Sequence, residues 1–124
     1  MLLVRSYRSM MEITLGMSGA IPVFSLSGRL DAITSPILEE RLKPLLDDPE
    51  GAKHLILDGA GLSYVSSAGL RVFLMAQRQL AARGGGLAFA GLTRQVLDLF
   101  QLAGLQDLFV IKESVEEATV GLAS

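Results

Sequence analysis

The sequence predicts an α/β fold in one domain: a mixed sheet of about five strands, built from an N-terminal antiparallel hairpin and then parallel βαβ units, with about four helices packed on it. Two observations carry that expectation. In the second half of the chain, short aliphatic runs alternate with segments whose apolar side chains recur at helical spacing. Such a strand–helix–strand order requires parallel pairing through right-handed crossovers. Nearer the start, two apolar runs are separated only by Met17-Ser18-Gly19, a composition that suits a tight turn and therefore an antiparallel pair. The length of 124 residues suffices for one modest core and not for two.

The hairpin strands are expected over Met11 to Thr14 and Ile21 to Leu26, at the edge of the sheet. Residues 1–10 precede the first strand pattern and are expected to form a disordered tail without function, leaving the domain to residues 11–124. After Gly28-Arg29-Leu30-Asp31, the pair Ser35-Pro36 reads as a capping residue followed by proline at the first helical position, where its missing N–H costs nothing. A helix then runs from about Pro36 to Leu46 and ends in Asp47-Asp48-Pro49-Glu50-Gly51. His54 to Leu57 reads as a strand buried on both faces, stopping at Asp58 and Gly59, with a loop from Asp58 to Ser67.

The next helix is expected over Ser67 to Arg83, with Leu70, Phe73, Leu74 and Leu80 along one face. Gly84 to Gly86 close it and lead into a strand over Leu87 to Ala90. Thr93 then caps a helix from Arg94 to Ala103, stopped by Gly104. A last strand, Leu108 to Ile111, precedes Ser114-Val115-Glu116-Glu117, a capping box in front of the terminal helix.

Composition removes several functions. Half of the residues are hydrophobic and 19% are charged, as in a folded domain. The net charge of -2 and pI near 5.3 supply no positive field to track a phosphate backbone, so no nucleic-acid partner is expected. With no cysteine and one histidine the chain offers no thiolate nucleophile and no ligand cluster, so no metal is expected. No apolar stretch is long enough to span a bilayer, and Arg5 and Arg8 interrupt the region where a signal peptide needs its apolar centre; the expected location is cytoplasmic, without direct membrane insertion. Gly59-Ala60-Gly61 and Gly84-Gly85-Gly86 lack the Lys-Ser/Thr ending of a P-loop and a complete dinucleotide fingerprint, so they read as turns and no cofactor is expected. His54 and Asp58 sit on one side of a strand but about 13 Å apart, which excludes a Ser-His-Asp triad. Val96, Leu99, Phe100 and Ala103 form a helical stripe that belongs to the core. No base accompanies either serine of the loop, and the chain is not expected to be an enzyme.

In open α/β sheets, partners and ligands are met beyond the carboxyl ends of parallel strands. There the loop brings two hydroxyls, Ser66 and Ser67, directly in front of Ala68-Gly69-Leu70. By residue type alone, one of them caps the helix, which is worth about 1 kcal/mol and implies no function. The surrounding residues add more. Val65-Ser66-Ser67-Ala68-Gly69-Leu70 resembles the signature of the STAS domain, in which a hydroxyl residue, a small residue and Gly-Leu open the second helix. Gly28-Arg29-Leu30-Asp31 resembles the family's Gly-x-Leu-Asp loop, and Val96 to Leu105 resembles its third helix and following turn. The three stretches follow in the family's order and spacing, and the resemblance extends from about Met11 to the C-terminus. It is strongest to the stand-alone bacterial antagonists of anti-sigma factors.

That resemblance implies a single STAS-like domain and a regulatory role. Ser67 falls on the family's phosphorylated serine; Ser66, where the family very often has aspartate, is the alternative acceptor. The implied partner is an anti-sigma factor that is also a serine kinase: the unphosphorylated antagonist binds it and releases a sigma factor, phosphorylation ends the binding, and a serine phosphatase acts on the phosphorylated form. The expected contact surface comprises Asp31, Thr34, Ser66, Ser67, Gly69, Arg71, Met75 and Arg78, because the two loops leave one rim of the sheet and Arg71, Met75 and Arg78 share one side of the helix. STAS domains also serve as accessory subunits of membrane lipid-transport ATPase complexes and as scaffold subunits of stress-sensing assemblies, the two alternative roles.

Overall fold

Alternate residues of the central strands go to two different cores. Leu55 and Leu57 point to one side of the sheet and Ile56 to the other, as the period of two in an extended chain requires. The computed structural model describes residues 11–123; the expected tail over 1–10 lies outside them, as does Ser124. Five strands, β1 (Met11–Ser18), β2 (Ile21–Leu30), β3 (His54–Val65), β4 (Gly86–Ala90) and β5 (Val110–Lys112), form one sheet in the order β1-β2-β3-β4-β5. β1 is antiparallel to β2 and lies at the edge, while β2 to β5 pair in parallel. Four helices are described: α1 (Ser35–Asp47), α2 (Ser67–Ala81), α3 (Arg94–Leu102) and α4 (Val115–Ala123).

Parallel strands laid down in sequence order, with crossovers of one hand, place their connecting helices on one face of the sheet. The larger core accordingly joins Leu38, Leu42 and Leu46 of α1, Phe73 and Leu80 of α2 and Phe100 of α3 to the sheet. Phe73, Phe89, Phe100 and Phe109 meet at its centre, with Phe89 edge-on to Phe73 at 4.8 Å and to Phe100 and Phe109 at 5.1 Å. The opposite face presents Ile56, Ala88 and Ala90, and α4 covers it through Ala118. Small residues let that helix come close: a Cβ on Gly121 would stand 2.9 Å from Val110 Cγ1.

Several elements depart from the sequence expectation. β1 continues to Ser18, so the hairpin turns at Gly19, whose φ of +59° suits glycine. β3 does not stop at Asp58 but runs on to Val65, and Gly59-Ala60-Gly61 is strand, not turn. Val23–Leu30 of β2 pairs with Ile56–Val65 of β3 through two register shifts, so β3 carries two extra residues as bulges. Ser35 is not a cap: it lies inside the first turn of α1, 2% exposed, with its hydroxyl unpaired. The cap position belongs to Thr34, which makes no capping bond because its hydroxyl is committed elsewhere. Thr93 does cap α3 through Val96 N–H, and Ser114 accepts from Glu117 N–H at the start of α4.

The C-terminal end of α1 has no basic residue of its own in its last turn. Arg83, beyond the end of α2, supplies one: its guanidinium donates to the carbonyls of Leu45 (3.3 Å), Leu46 and Ala52 (3.1 Å). One cation thus terminates α1 and ties it to the α2–β4 turn, where the C-terminal helix dipole favours positive charge. Replacing it with an apolar chain of similar length, Arg83→Met, removes all three bonds and should lower stability by about 1.5–3 kcal/mol. Urea denaturation read by circular dichroism checks this, and an unchanged midpoint would contradict the assignment.

Candidate functional site

β4 pairs with β3 only as far as Asp58↔Ala90, whereas β2 and β3 remain paired to Leu30↔Val65. These two strands therefore project beyond β4, and the segments that leave them start side by side. Ser66 N–H donates to the Leu30 carbonyl at 2.8 Å, one residue before Asp31 turns away on the neighbouring strand. The Gly-x-Leu-Asp segment and the double serine are held at one rim by main-chain pairing.

At that rim the two serines have different tasks. Ser66 is extended (φ -88°, ψ 175°) and its hydroxyl accepts the Gly69 N–H at 3.3 Å, while its carbonyl accepts the Leu70 N–H at 3.0 Å. Ser66 is thus the cap of α2, in the geometry that orphan N–H groups of a first turn require. Ser67, the first helical residue, is exposed, and its hydroxyl has no hydrogen-bond partner among the described residues. Gly69 brings the helix down onto the strands: a Cβ there would lie 2.8 Å from Leu30 Cδ2 and 3.0 Å from Val65 Cγ1.

The facing loop is organised by Asp31. Its Oδ1 accepts the N–H groups of Ile33 (3.0 Å) and Thr34 (3.1 Å), and its own N–H donates to Thr34 Oγ1 (2.9 Å). Thr34 Oγ1 in turn donates to the Arg29 carbonyl at 2.6 Å. The Thr34 N–H first, then Ile33 N–H, the Thr34 hydroxyl and Arg29, hold the Asp31 carboxyl below the usual carboxylate range, against an opposing effect of desolvation. Gly28, with φ +109°, starts this turn in a conformation that side chains rarely adopt, and its carbonyl accepts the Ser63 hydroxyl.

The residues expected to form one contact surface separate into two groups. Asp31, Ser66, Ser67, Arg71, Met75 and Arg78 retain some exposure. Thr34 and Gly69 are corrected: both are buried, Thr34 fully so, and they shape the loop and the helix seat from within instead of offering a surface. Arg71 and Met75 line a groove of about 390 Å³ between α1 and α2, with Glu39 and Pro36 on the α1 side, whereas Arg78 lies beyond it. Sequence reasoning missed Arg29, Tyr64 and Ile33. The Arg29 guanidinium stacks 4.3 Å from the Tyr64 ring centre and lies 4.0 Å from Asp31, and Ile33 stands 55% exposed at the loop tip. The signal for the first two was the register Arg29↔Tyr64, visible only when β3 is continued past its glycines.

Comparison with known proteins gives this geometry a family. The family model of the STAS domain matches residues 12–118. The chain belongs to the STAS domain family. Among its relatives, the anti-sigma-B factor antagonist of Bacillus subtilis is 29% identical over 92 residues, covering 74% of this chain and 82% of that protein. The protein of the same name from Staphylococcus aureus is 32% identical over 91 residues, covering 73% and 82%. In structure, the anti-sigma factor antagonist SpoIIAA in its unphosphorylated form matches with a TM-score of 0.76 at 22% identity, over 90% of this chain and 96% of that one. The phosphorylated form of the Bacillus SpoIIAA matches at 0.69, also at 22% identity, over 89% and 98%. At that identity the likeness is one of fold: the five-stranded mixed sheet with four helices is the STAS fold.

Among the described residues no helix is long and apolar enough to cross a membrane, and no group of three or more His, Asp or Glu side chains could hold a metal ion. The site consists of hydroxyls, one cation pair with its carboxylate, and main-chain groups.

The Asp31 turn gives this rim a pH dependence of known sign. A carboxyl whose folded-state pKa is depressed adds stability above the unfolded carboxylate range and loses it as pH falls through the folded value. Asp31→Asn should therefore be less stable than the parent near neutral pH, and the gap should close as pH falls through the depressed folded-state value of Asp31, below the usual carboxylate range. Urea midpoints of both proteins against pH test this; a gap that persists undiminished in acid would show that the carboxylate charge is not what holds the turn.

Proposed function

We propose that the protein is an anti-sigma-factor antagonist whose binding to its anti-sigma factor is switched off by phosphorylation of Ser67. The observation that carries this reading is the division between the two serines: Ser66 caps α2, which leaves the Ser67 hydroxyl exposed and uncommitted on the first turn. A kinase can take that oxygen without breaking any bond that holds the helix. The names of the relatives from Bacillus subtilis and Staphylococcus aureus support the antagonist role, and SpoIIAA, known in both unphosphorylated and phosphorylated forms, supports a phosphorylation switch on this fold. The anti-sigma factor is itself the serine kinase, a serine phosphatase resets the switch, and the setting is the cytoplasm.

In the transfer the Ser67 oxygen loses its proton, bonds to the γ-phosphorus of ATP, and ADP leaves. The product carries about -1.5 to -2 charges at neutral pH, at a helix N-terminus whose dipole tolerates anions. The fold survives. A partner docking on this rim must instead desolvate the dianion or face it with its own carboxylates and nucleotide, so binding is lost while folding is kept. Unmodified, the rim offers Ile33, the stacked Arg29 and Tyr64, and the Arg71–Met75 groove to the anti-sigma factor, which releases its sigma factor on binding.

Incubation with ATP and each kinase-type anti-sigma factor of the same organism should add one phosphate by intact mass, mapped to Ser67 and absent from Ser67→Ala. Phosphate confined to Ser66, or none with any such kinase, would defeat the proposal. Ser67→Asp should keep the parent melting temperature and bind the anti-sigma factor at least about tenfold more weakly, a loss of about 1.4 kcal/mol. Ser66→Ala should show the reverse pattern, losing about 1 kcal/mol of stability as the cap is removed while Ser67 is still modified.

A further inference from the structure

We infer that Arg71 is the internal counter-ion of the phosphorylated state, pairing with the phosphate on Ser67 across one turn of α2; this rests on the proposed modification of Ser67. Ser67 opens α2, Arg71 follows four residues later, and both are exposed. Side chains at that separation stand about 5–6 Å apart at their Cβ atoms, and an anion N-terminal to a cation is the favourable order. The planar guanidinium presents a fork of donors that matches phosphate oxygens.

Neither partner has a competing commitment. The Ser67 hydroxyl makes no hydrogen bond, because Ser66 does the capping, so an attached phosphate is free to lie over the first turn. Arg71 has no carboxylate within 4.0 Å among the described residues, where the ion pairs are Arg29–Asp31 and Arg94–Asp98. Glu39, which faces Arg71 across the groove from α1, is not within that distance. The other cations near the helix are less suited. Arg29 is held by Asp31 and the Tyr64 ring, and Arg78 lies eleven residues beyond Ser67, about 16 Å along the axis.

Phosphorylation then does more than add charge at one point. Arg71 is part of the wall of the groove beside Met75. Drawing its head toward Ser67 removes a cation from that wall and neutralises part of the phosphate, with no backbone movement. The same side chain serves the surface in the unmodified protein and anchors the phosphate in the modified one.

The test uses the full chain with phosphoserine placed at position 67 by genetic code expansion, so that it needs no kinase. A ³¹P NMR titration reads the second ionisation of the phosphate in the parent, in Arg71→Gln and in Arg78→Gln, with melting curves confirming that all three are folded. With Arg71 present the ionisation should lie about half a pH unit lower than in Arg71→Gln, and Arg78→Gln should titrate like the parent. Coincident titrations of the parent and Arg71→Gln would overturn the pairing. So would an equal shift in Arg78→Gln, which would mark a general field effect in place of a specific contact. Failure of any kinase to modify Ser67 would sink the functional proposal and leave this titration readable; coincident titrations would sink the pairing and leave partner release by charge intact.

Discussion

The rim depends on the pairing of β2 with β3 beyond the point where β4 ends. The last pair, Leu30↔Val65, and the bond from Ser66 N–H to the Leu30 carbonyl fix the starts of two segments that are far apart in sequence. Without that extension, Asp31 and Ser67 would leave the sheet at different heights and could not share a surface. The extension is itself unusual in its register, since β3 fits two more residues than β2 over the paired length. Bulges of this kind bend a strand and increase its twist, which is how a sheet edge re-aims a side chain. Here they carry the chain upward and deliver it to α2 with Ser66 already extended.

The hydrogen bonds at this rim separate the side chains that build it from the one left uncommitted. Asp31, Thr34 and Ser66 each satisfy main-chain groups of their own segment, and Gly69 removes the bulk that would hold the helix off the strands. Those three polar side chains are consumed by shaping the rim. The exposed Ser67 hydroxyl is not, and a hydroxyl that stabilises nothing can be altered without a structural penalty. Had the cap fallen on Ser67, adding a phosphate would have exchanged one helix-start bond for another and coupled modification to helix stability.

Much of this was legible in the sequence, for physical reasons that differ from element to element. The hairpin, the two capped helices at Thr93 and Ser114 and the α2 face of Phe73 and Leu80 follow from turn chemistry and periodicity, both local. The upper half of β3 was not legible, because glycines at 59 and 61 carry the composition of a loop. Their reason is tertiary: a Cβ at Gly59 would stand 2.6 Å from Leu92 of the neighbouring turn, and one at Gly61 would stand 3.0 Å from Ser27. Ser35 before Pro36 looked like a cap by the same local logic, but the Asp31–Thr34 hydrogen bonds set the helix start one residue earlier and bury Ser35 beneath it. Thr34 and Gly69 were placed on the surface because a motif marks positions without saying which way they face.

The two-sided packing explains why a change confined to this rim would leave the domain whole. α2 is anchored along its length by Phe73, which meets the aromatic cluster, and by Leu80 near its end, both fully buried. α4 is anchored on the opposite face of the sheet, against Ala88 and Ala90, in a separate core. Charge added at the first residue of α2 would therefore act where the helix dipole is positive and where water remains in contact, on a side chain that is not part of either core. Stability is set by buried area distributed over both faces, whereas the proposed recognition rests on a few groups at one rim. A change of two charges is small against the first and large against the second.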